Sequence, residues 1–113
     1  MKLGRMSIAT FNLFNLNEPG KPVYTDADGW SQAEYDKKIA WTAHNIRLLK
    51  PDILGLQEMW HKQSIANALQ ASGLESEYEI LAPADATGKG IVCGALVKKG
   101  LRIGEPEWIV SFP

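Results

Sequence analysis

Two polar segments follow short apolar runs, and their residues are of the types that bind metal ions and phosphate. Gln57 and Glu58 close the segment Pro51-Asp-Ile-Leu-Gly-Leu-Gln-Glu58, in which residues 53–56 have the character of a buried strand. Asn12 closes another apolar run, residues 6–11. A carboxylate at the end of a buried strand is costly unless it points into a polar site, often one with a cation. The two segments therefore predict a site for metal and phosphate chemistry.

A helix between these runs would place them side by side. Ser31 and Glu34 have the spacing of a capping box, and an apolar stripe at helical spacing runs from Tyr35 to Leu49. Pro51 then ends the helix. Strand, helix and strand in this order form a βαβ unit with a parallel pair. Because ligands collect at the carboxyl ends of parallel strands, we expect Asn12 and Glu58 to lie close together there.

The rest of the chain predicts a mixed sheet with flanking helices, an α/β fold. Residues 64–72 form a second helix candidate, and Gly73 is placed as its stop. Residues 78–81, 91–97 and 107–110 have strand character, and glycine-containing segments at 88–90 and 98–100 are expected to form turns.

Length and composition limit the classes of function. The 113 residues allow one domain, which buries roughly two thirds of its unfolded surface. Twelve basic and thirteen acidic residues show no cluster typical of nucleic-acid binding, although a metal site can supply local positive charge. The chain has a single cysteine, Cys93, which excludes an internal disulfide and fits a reducing, cytoplasmic location. Because Cys93 lies in an apolar run, we expect it to be a buried, inert thiol. We read no signal peptide and no transmembrane segment.

Each candidate residue also has a simpler interpretation. Glu58 alone is compatible with a solvated strand end, and Asn12 alone with a turn cap. Together, with Gln57 beside them, they favour a hard cation such as Mg²⁺ or Mn²⁺, bound by carboxylate and amide oxygens and by water. His61, three residues after Glu58, is a candidate substrate contact; the alternative is a residue at the start of a helix.

The two segments resemble the endonuclease/exonuclease/phosphatase superfamily of metal-dependent phosphoesterases. The matching motifs are Ile8-Ala-Thr-Phe-Asn-Leu-Phe14 and Pro51-Asp-Ile-Leu-Gly-Leu-Gln-Glu58, separated by a helix. The resemblance implies that Glu58 binds the divalent metal, usually Mg²⁺, and that Asn12 helps to hold metal or phosphate. It implies a phosphoester substrate, with nucleic acid and phospholipid both within the range of the family.

The resemblance covers residues 1–113 but only the N-terminal half of the usual domain, which is a four-layer α/β sandwich. The family's later motifs, Asp-x-Asn and Ser-Asp-His, do not occur in the sequence. The expectation is therefore the N-terminal portion of a phosphoester hydrolase of nuclease or phosphatase type, completed by a C-terminal half or by a partner chain. Alternatives are a non-catalytic half-domain that acts as an interaction module, and a small metal-binding protein without phosphoester chemistry.

Overall fold

The computed structural model describes residues 4–23 and 28–109. Four strands and two helices follow one another along the chain: β1 (Ile8–Leu16), α1 (Gln32–Leu49), β2 (Ile53–His61), α2 (Lys62–Ser72), β3 (Tyr78–Leu81) and β4 (Thr87–Lys98).

The strands form one mixed sheet in the order β1-β2-β4-β3. β1 and β2 are parallel, whereas β4 is antiparallel to both of its neighbours. The predicted α/β fold with a mixed sheet and a parallel first pair is therefore confirmed. The other half of a four-layer sandwich remains a prediction of the resemblance.

Local sequence signals set the ends of both helices. Ser31 and Glu34 form the predicted capping box, because the Glu34 amide donates to Ser31 Oγ (3.1 Å) and the Ser31 amide donates to the Glu34 carboxylate (2.9 Å). These bonds to Ser31 lower the pKa of Glu34. Lys50, in the left-handed region with φ 34°, ends α1 just before Pro51. Gly73 ends α2 as predicted, but α2 begins at Lys62, two residues earlier than expected.

The helices cover one face of the sheet, where the hydrophobic core lies. Buried side chains from β1, β2 and β4 on this face pack with buried side chains from both helices. The largest strand residues among them are Leu13, Leu16, Leu54, Leu56, Met59 and Leu96, and the largest apolar helix residues are Ile46 in α1 and Ile65 in α2. Strand alternation sends the intervening side chains to the opposite face. Ile8, Ile53 and Val97 are paired across the ladder on that face, and Ile8 is 71% exposed.

Three sequence predictions about the C-terminal part are wrong. Cys93 is exposed rather than buried, because alternation places it on the uncovered face. Gly88 and Gly90 lie inside β4, because pairing with β2 continues as far as His61 and Thr87; the turn occupies residues 82–86 instead. Residues 107–109 pair with no neighbouring strand in the described part of the chain, and residue 110 lies outside it.

In the described ranges, neither helix is long and apolar enough to cross a membrane.

Candidate functional site

Asn12 and Glu58 lie inside their strands, which corrects the prediction that they end them. Asn12 is paired with Gln57, and pairing resumes between Leu16 and Met59. Between these two pairs, β1 advances four residues, from 12 to 16, whereas β2 advances two, from 57 to 59. The extra residues form a bulge, so hydrogen bonding between the strands continues beyond the point where the apolar runs stop. Bulges often occur beside active sites, where they redirect side chains.

The bulge contains backbone strain in both strands. Phe14, Asn15 and Glu58 have φ values of 54°, 56° and 54°, in the left-handed region that residues with side chains seldom adopt. Such conformations persist only where surrounding contacts enforce them, and they concentrate at functional sites. Three of them at one point in the sheet mark this bulge as the leading candidate site.

Local bonding fixes the orientation of the Asn12 side chain. Its Oδ1 accepts a hydrogen bond from the Phe14 amide at 2.8 Å. Because a backbone N–H needs an oxygen acceptor, this contact assigns the oxygen and nitrogen of the amide. Asn12 is exposed, and no acceptor among the described residues takes its Nδ2 hydrogens. The Nδ2 group can therefore donate to a ligand.

Glu58 is half-buried and opens to a different cavity from Asn12. A cavity of about 540 Å³ is lined by Gln57, Glu58, Pro83, Asp85, Ile91, Val92, Cys93, Trp108 and Ile109. Another, of about 520 Å³, is lined by Asn12, Phe14, Lys37, Lys38 and Trp41. The fold thus brings Asn12 and Glu58 onto adjacent strands, but their side chains line two different cavities that share no lining residue.

Gln57 and Asp85 add polar groups near Glu58. Gln57 Oε1 accepts a hydrogen bond from Thr10 Oγ1 at 2.9 Å, which joins β1 and β2. Asp85, in the β3–β4 turn, lines the same cavity as Glu58. No local sequence pattern marks Asp85 as a site residue, because the folding of β4 back onto β2 brings it there. Within the described residues, no group of three or more His, Cys, Asp or Glu side chains is arranged to hold a metal ion.

His61 belongs to a separate hydrogen-bonded chain of side chains. Its Nε2 lies 3.2 Å from Glu18, and its Nδ1 lies 3.0 Å from Ser64 Oγ. Ser64 in turn accepts from the Tyr35 hydroxyl, which accepts from Asn67. With these directions Ser64 donates to Nδ1, so Nε2–H donates to Glu18. His61 lines neither of the two cavities beside Asn12 and Glu58, and its predicted substrate contact remains a prediction.

Lys38 belongs to the site, although its position there was not predicted from the sequence. It extends from α1 to the bulge, where its Nζ donates to the carbonyl oxygens of Phe14 (2.7 Å) and Leu13 (3.3 Å). Burial lowers the pKa of Lys38, and the negative charge of Glu58 partly opposes that shift. The sequence feature that could have indicated this contact is the position of Lys38 three residues after Tyr35, which places it on the side of α1 that faces the sheet.

Comparisons with known proteins leave the family open. No protein-family model matches the chain, and neither a curated protein nor a solved structure shows significant similarity to it.

Proposed function

We propose that this chain supplies the Asn12 and Glu58 part of an active site that hydrolyses phosphoesters with Mg²⁺ or Mn²⁺. The observation that carries the proposal is the position of Asn12 beside Gln57 and Glu58 on adjacent parallel strands, at a strained bulge. Adjacent strands are about 4.8 Å apart. The proposal therefore requires a phosphate that lies across both strands, so that the phosphate contacts Asn12 in one cavity and its cation contacts Glu58 in the other.

The donor set fits a hard, strongly hydrated cation. Mg²⁺ commonly takes one or two carboxylates, with water and substrate phosphate completing its octahedron. Glu58 is a half-buried carboxylate at an open cavity, and Asp85 lines the same cavity. Asn12 Oδ1 already accepts one hydrogen bond, from the Phe14 amide, so Asn12 suits phosphate contact through Nδ2 better than metal coordination.

In this proposal the side chains have distinct roles. Glu58 holds the cation, and Asn12 Nδ2 donates to a non-bridging phosphoryl oxygen, where charge grows as water attacks in line. A bound Mg²⁺ supplies Lewis-acid polarisation of the phosphoryl group. The bulge keeps Glu58 and the Asn12 amide preorganised, so little reorganisation accompanies the reaction. The groups that orient water come from a C-terminal half or a partner chain, and the substrate is a nucleic-acid or lipid phosphoester.

A metal titration tests the role of Glu58. Because one or two carboxylates leave most coordination positions to water, we expect Mg²⁺ and Mn²⁺ to bind the 113-residue chain no more tightly than about 1 mM. Isothermal titration should show that Glu58→Gln abolishes this binding. Glu75→Gln removes the same charge at an exposed position and is the matched control. Equal binding by Glu58→Gln and the wild type would remove Glu58 from the site.

Hydrolysis tests the whole proposal. We expect negligible turnover by the 113-residue chain, because loss of even one stabilising donor costs about 10²–10³ in rate. A complex or longer chain that supplies Asp-x-Asn and Ser-Asp-His groups should hydrolyse a phosphodiester in Mg²⁺, but not with chelator or with Glu58→Ala. Chelator-sensitive turnover by the 113-residue chain alone, abolished by Glu58→Ala, would contradict the need for a second half.

The uncovered face of the sheet favours an interaction module as the second candidate function. Ile8 and Ile91 on this side of the molecule are 71% and 51% exposed. Exposed apolar sheet faces commonly pack against a second sheet. In this case, Ile8→Lys should weaken association with a polypeptide that presents an apolar sheet face, while Glu58→Gln should have no effect. If sedimentation experiments show instead that Glu58→Gln weakens the association and Ile8→Lys leaves it unchanged, the result would argue for the metal site alone.

A further inference from the structure

Lys38 links α1 to the strained part of β1. Its Nζ makes two hydrogen bonds with backbone carbonyls, to Phe14 O at 2.7 Å and to Leu13 O at 3.3 Å. The same Nζ lies 4.6 Å from the ring centroid of Trp30, 4.9 Å from that of Phe14 and 5.8 Å from that of Trp41. Aromatic faces attract a cation, and here they surround it on a half-buried side chain. The position of the Lys38 ammonium is therefore defined by five separate contacts.

These contacts are made to the strained backbone of the bulge in β1. Phe14 and Asn15 both have positive φ, which costs a residue with a side chain about 1–2 kcal/mol. Lys38 binds the carbonyl on the Phe14 side, and Trp30 Nε1 donates to Asn15 O at 2.8 Å. Carbonyl oxygens that leave regular strand pairing at a bulge lose their backbone N–H partners and take other donors. Lys38 and Trp30 provide these donors.

The supported backbone in turn holds Asn12. The Phe14 amide donates to Asn12 Oδ1 at 2.8 Å, so the direction of the Phe14 peptide determines which way the Asn12 Nδ2 group faces. Lys37, the neighbouring residue on α1, lines the same cavity but makes no hydrogen bond to β1 among the described residues. Within the described residues, Lys38 is the α1 side chain that hydrogen-bonds to the peptide that orients Asn12, through Leu13 O.

We propose that Lys38 is a positioning residue, which fixes the Leu13–Phe14 backbone and through it the Asn12 amide. This inference rests on the proposed function of Asn12 and Glu58. In that function the Lys38 side chain does not contact the reacting phosphate, because its hydrogen bonds go to Leu13 and Phe14. It determines instead how well Asn12 is placed to donate.

Three variants of the full chain separate positioning from simple packing. Lys38→Met keeps the length and most of the volume but removes every N–H donor. Lys38→Arg restores donors and charge, and Lys37→Met removes a charge from the same cavity without touching β1. The measurements are the ¹H–¹⁵N resonances of the Asn12 side-chain amide, hydrogen exchange of the Phe14 amide, and broadening of the Asn12 resonances by added Mn²⁺.

We expect Lys38→Met to shift the Asn12 side-chain resonances and to speed exchange of the Phe14 amide by about tenfold or more, the loss typical for a hydrogen bond from a charged group. Broadening of Asn12 by Mn²⁺ should weaken in the same variant. Lys38→Arg should recover most of each effect, and Lys37→Met should match the wild type.

The proposal is overturned if Lys38→Met leaves the Asn12 resonances and Phe14 exchange unchanged, or if Lys37→Met changes them equally. If Lys38→Met does not fold, Lys38→Gln, which keeps one amide donor, should show the same changes at smaller size; wild-type values there would also overturn it. The Asn12 and Phe14 measurements without metal decide the role of Lys38. Unaltered Mn²⁺ binding by Glu58→Gln would instead refute the proposed function.

Discussion

Replacing Glu58 with glycine should stabilise the protein and abolish metal binding together. Glu58 has φ 54° in β2, so its side chain is kept at a position where the backbone favours glycine. Glu58→Gln provides the comparison, because it removes the same carboxylate while leaving the left-handed strain in place. The difference in stability between the two variants therefore isolates the backbone effect from the loss of charge.

The expected size follows from two opposing terms. Relief of the left-handed conformation is worth about 1–2 kcal/mol. The greater freedom of glycine in the unfolded chain costs about 0.5–1 kcal/mol. Glu58→Gly should therefore be more stable than Glu58→Gln by about 0.8 kcal/mol, within limits of about 0 and 1.5 kcal/mol, and the central value corresponds to a rise in Tm of roughly 2–5 °C for a domain of this size.

Urea unfolding followed by circular dichroism measures this difference, and Mn²⁺ titration of each variant measures the metal. Lys50→Gly is the control: Lys50 has φ 34° at the end of α1, away from the bulge. The ion pair of Lys50 with Glu77, at 3.7 Å on the surface, contributes little. Lys50→Gly should therefore stabilise the fold and leave metal binding unchanged.

A Glu58→Gly variant less stable than Glu58→Gln, with Lys50→Gly stabilised as expected, would refute the reasoning. It would mean that the Glu58 backbone carries no strain that glycine relieves. Mn²⁺ binding retained by both Glu58 variants would separately exclude the carboxylate from the metal site.

Three further predictions concern the sheet that carries the site. The Asp52 carboxylate accepts a hydrogen bond from the Ser7 amide at 2.8 Å, and this bond lowers the pKa of Asp52. Ionised Asp52 therefore stabilises the fold at pH values above its unfolded pKa. This contribution is lost as the pH falls through the folded pKa. Asp52→Asn should therefore be less stable than wild type near neutral pH, with a gap in urea unfolding that narrows below about pH 4; a constant gap would contradict this. Gly94→Ala should cost about 1–3 kcal/mol in chemical unfolding, because a Cβ there would lie 2.7 Å from Leu81 O, and unchanged stability would show that β4 can shift freely. Met59→Ala, at a fully buried position beside the bulge, should cost about 2–5 kcal/mol by the same measurement, and a smaller loss would indicate that the core collapses into the cavity.

Parts of the site could be predicted from the sequence because the relevant signals are short-range. The apolar runs before Asn12 and Glu58 and the helix between them predicted adjacent parallel strands, and the ladder pairs Asn12 with Gln57. The sequence did not predict that the strands continue past these residues. The continuation depends on left-handed backbone at Phe14 and Glu58, for which the sequence offers no glycine as a signal.

Positions that depend on distant partners were the ones missed. Cys93 lies in an apolar run, but whether its side of the strand is covered depends on where the helices pack. Lys38 contacts residues 24 and 25 positions earlier in the chain, so no local pattern reveals its hydrogen bonds. Asp85 reaches the cavity of Glu58 only because β4 pairs with β2.

The sequence by itself predicted both helices and a segment of each of the four strands, but also a strand at 107–110 that does not form in the described residues. Helix ends such as Ser31 with Glu34, and Gly73, are set by hydrogen bonds and backbone preferences within a few residues. The tertiary structure alone decided the bulge, the two cavities and the contact of Lys38 with β1. These arise from pairing and packing between segments far apart in the chain, whose geometry is fixed only when the sheet and helices form together.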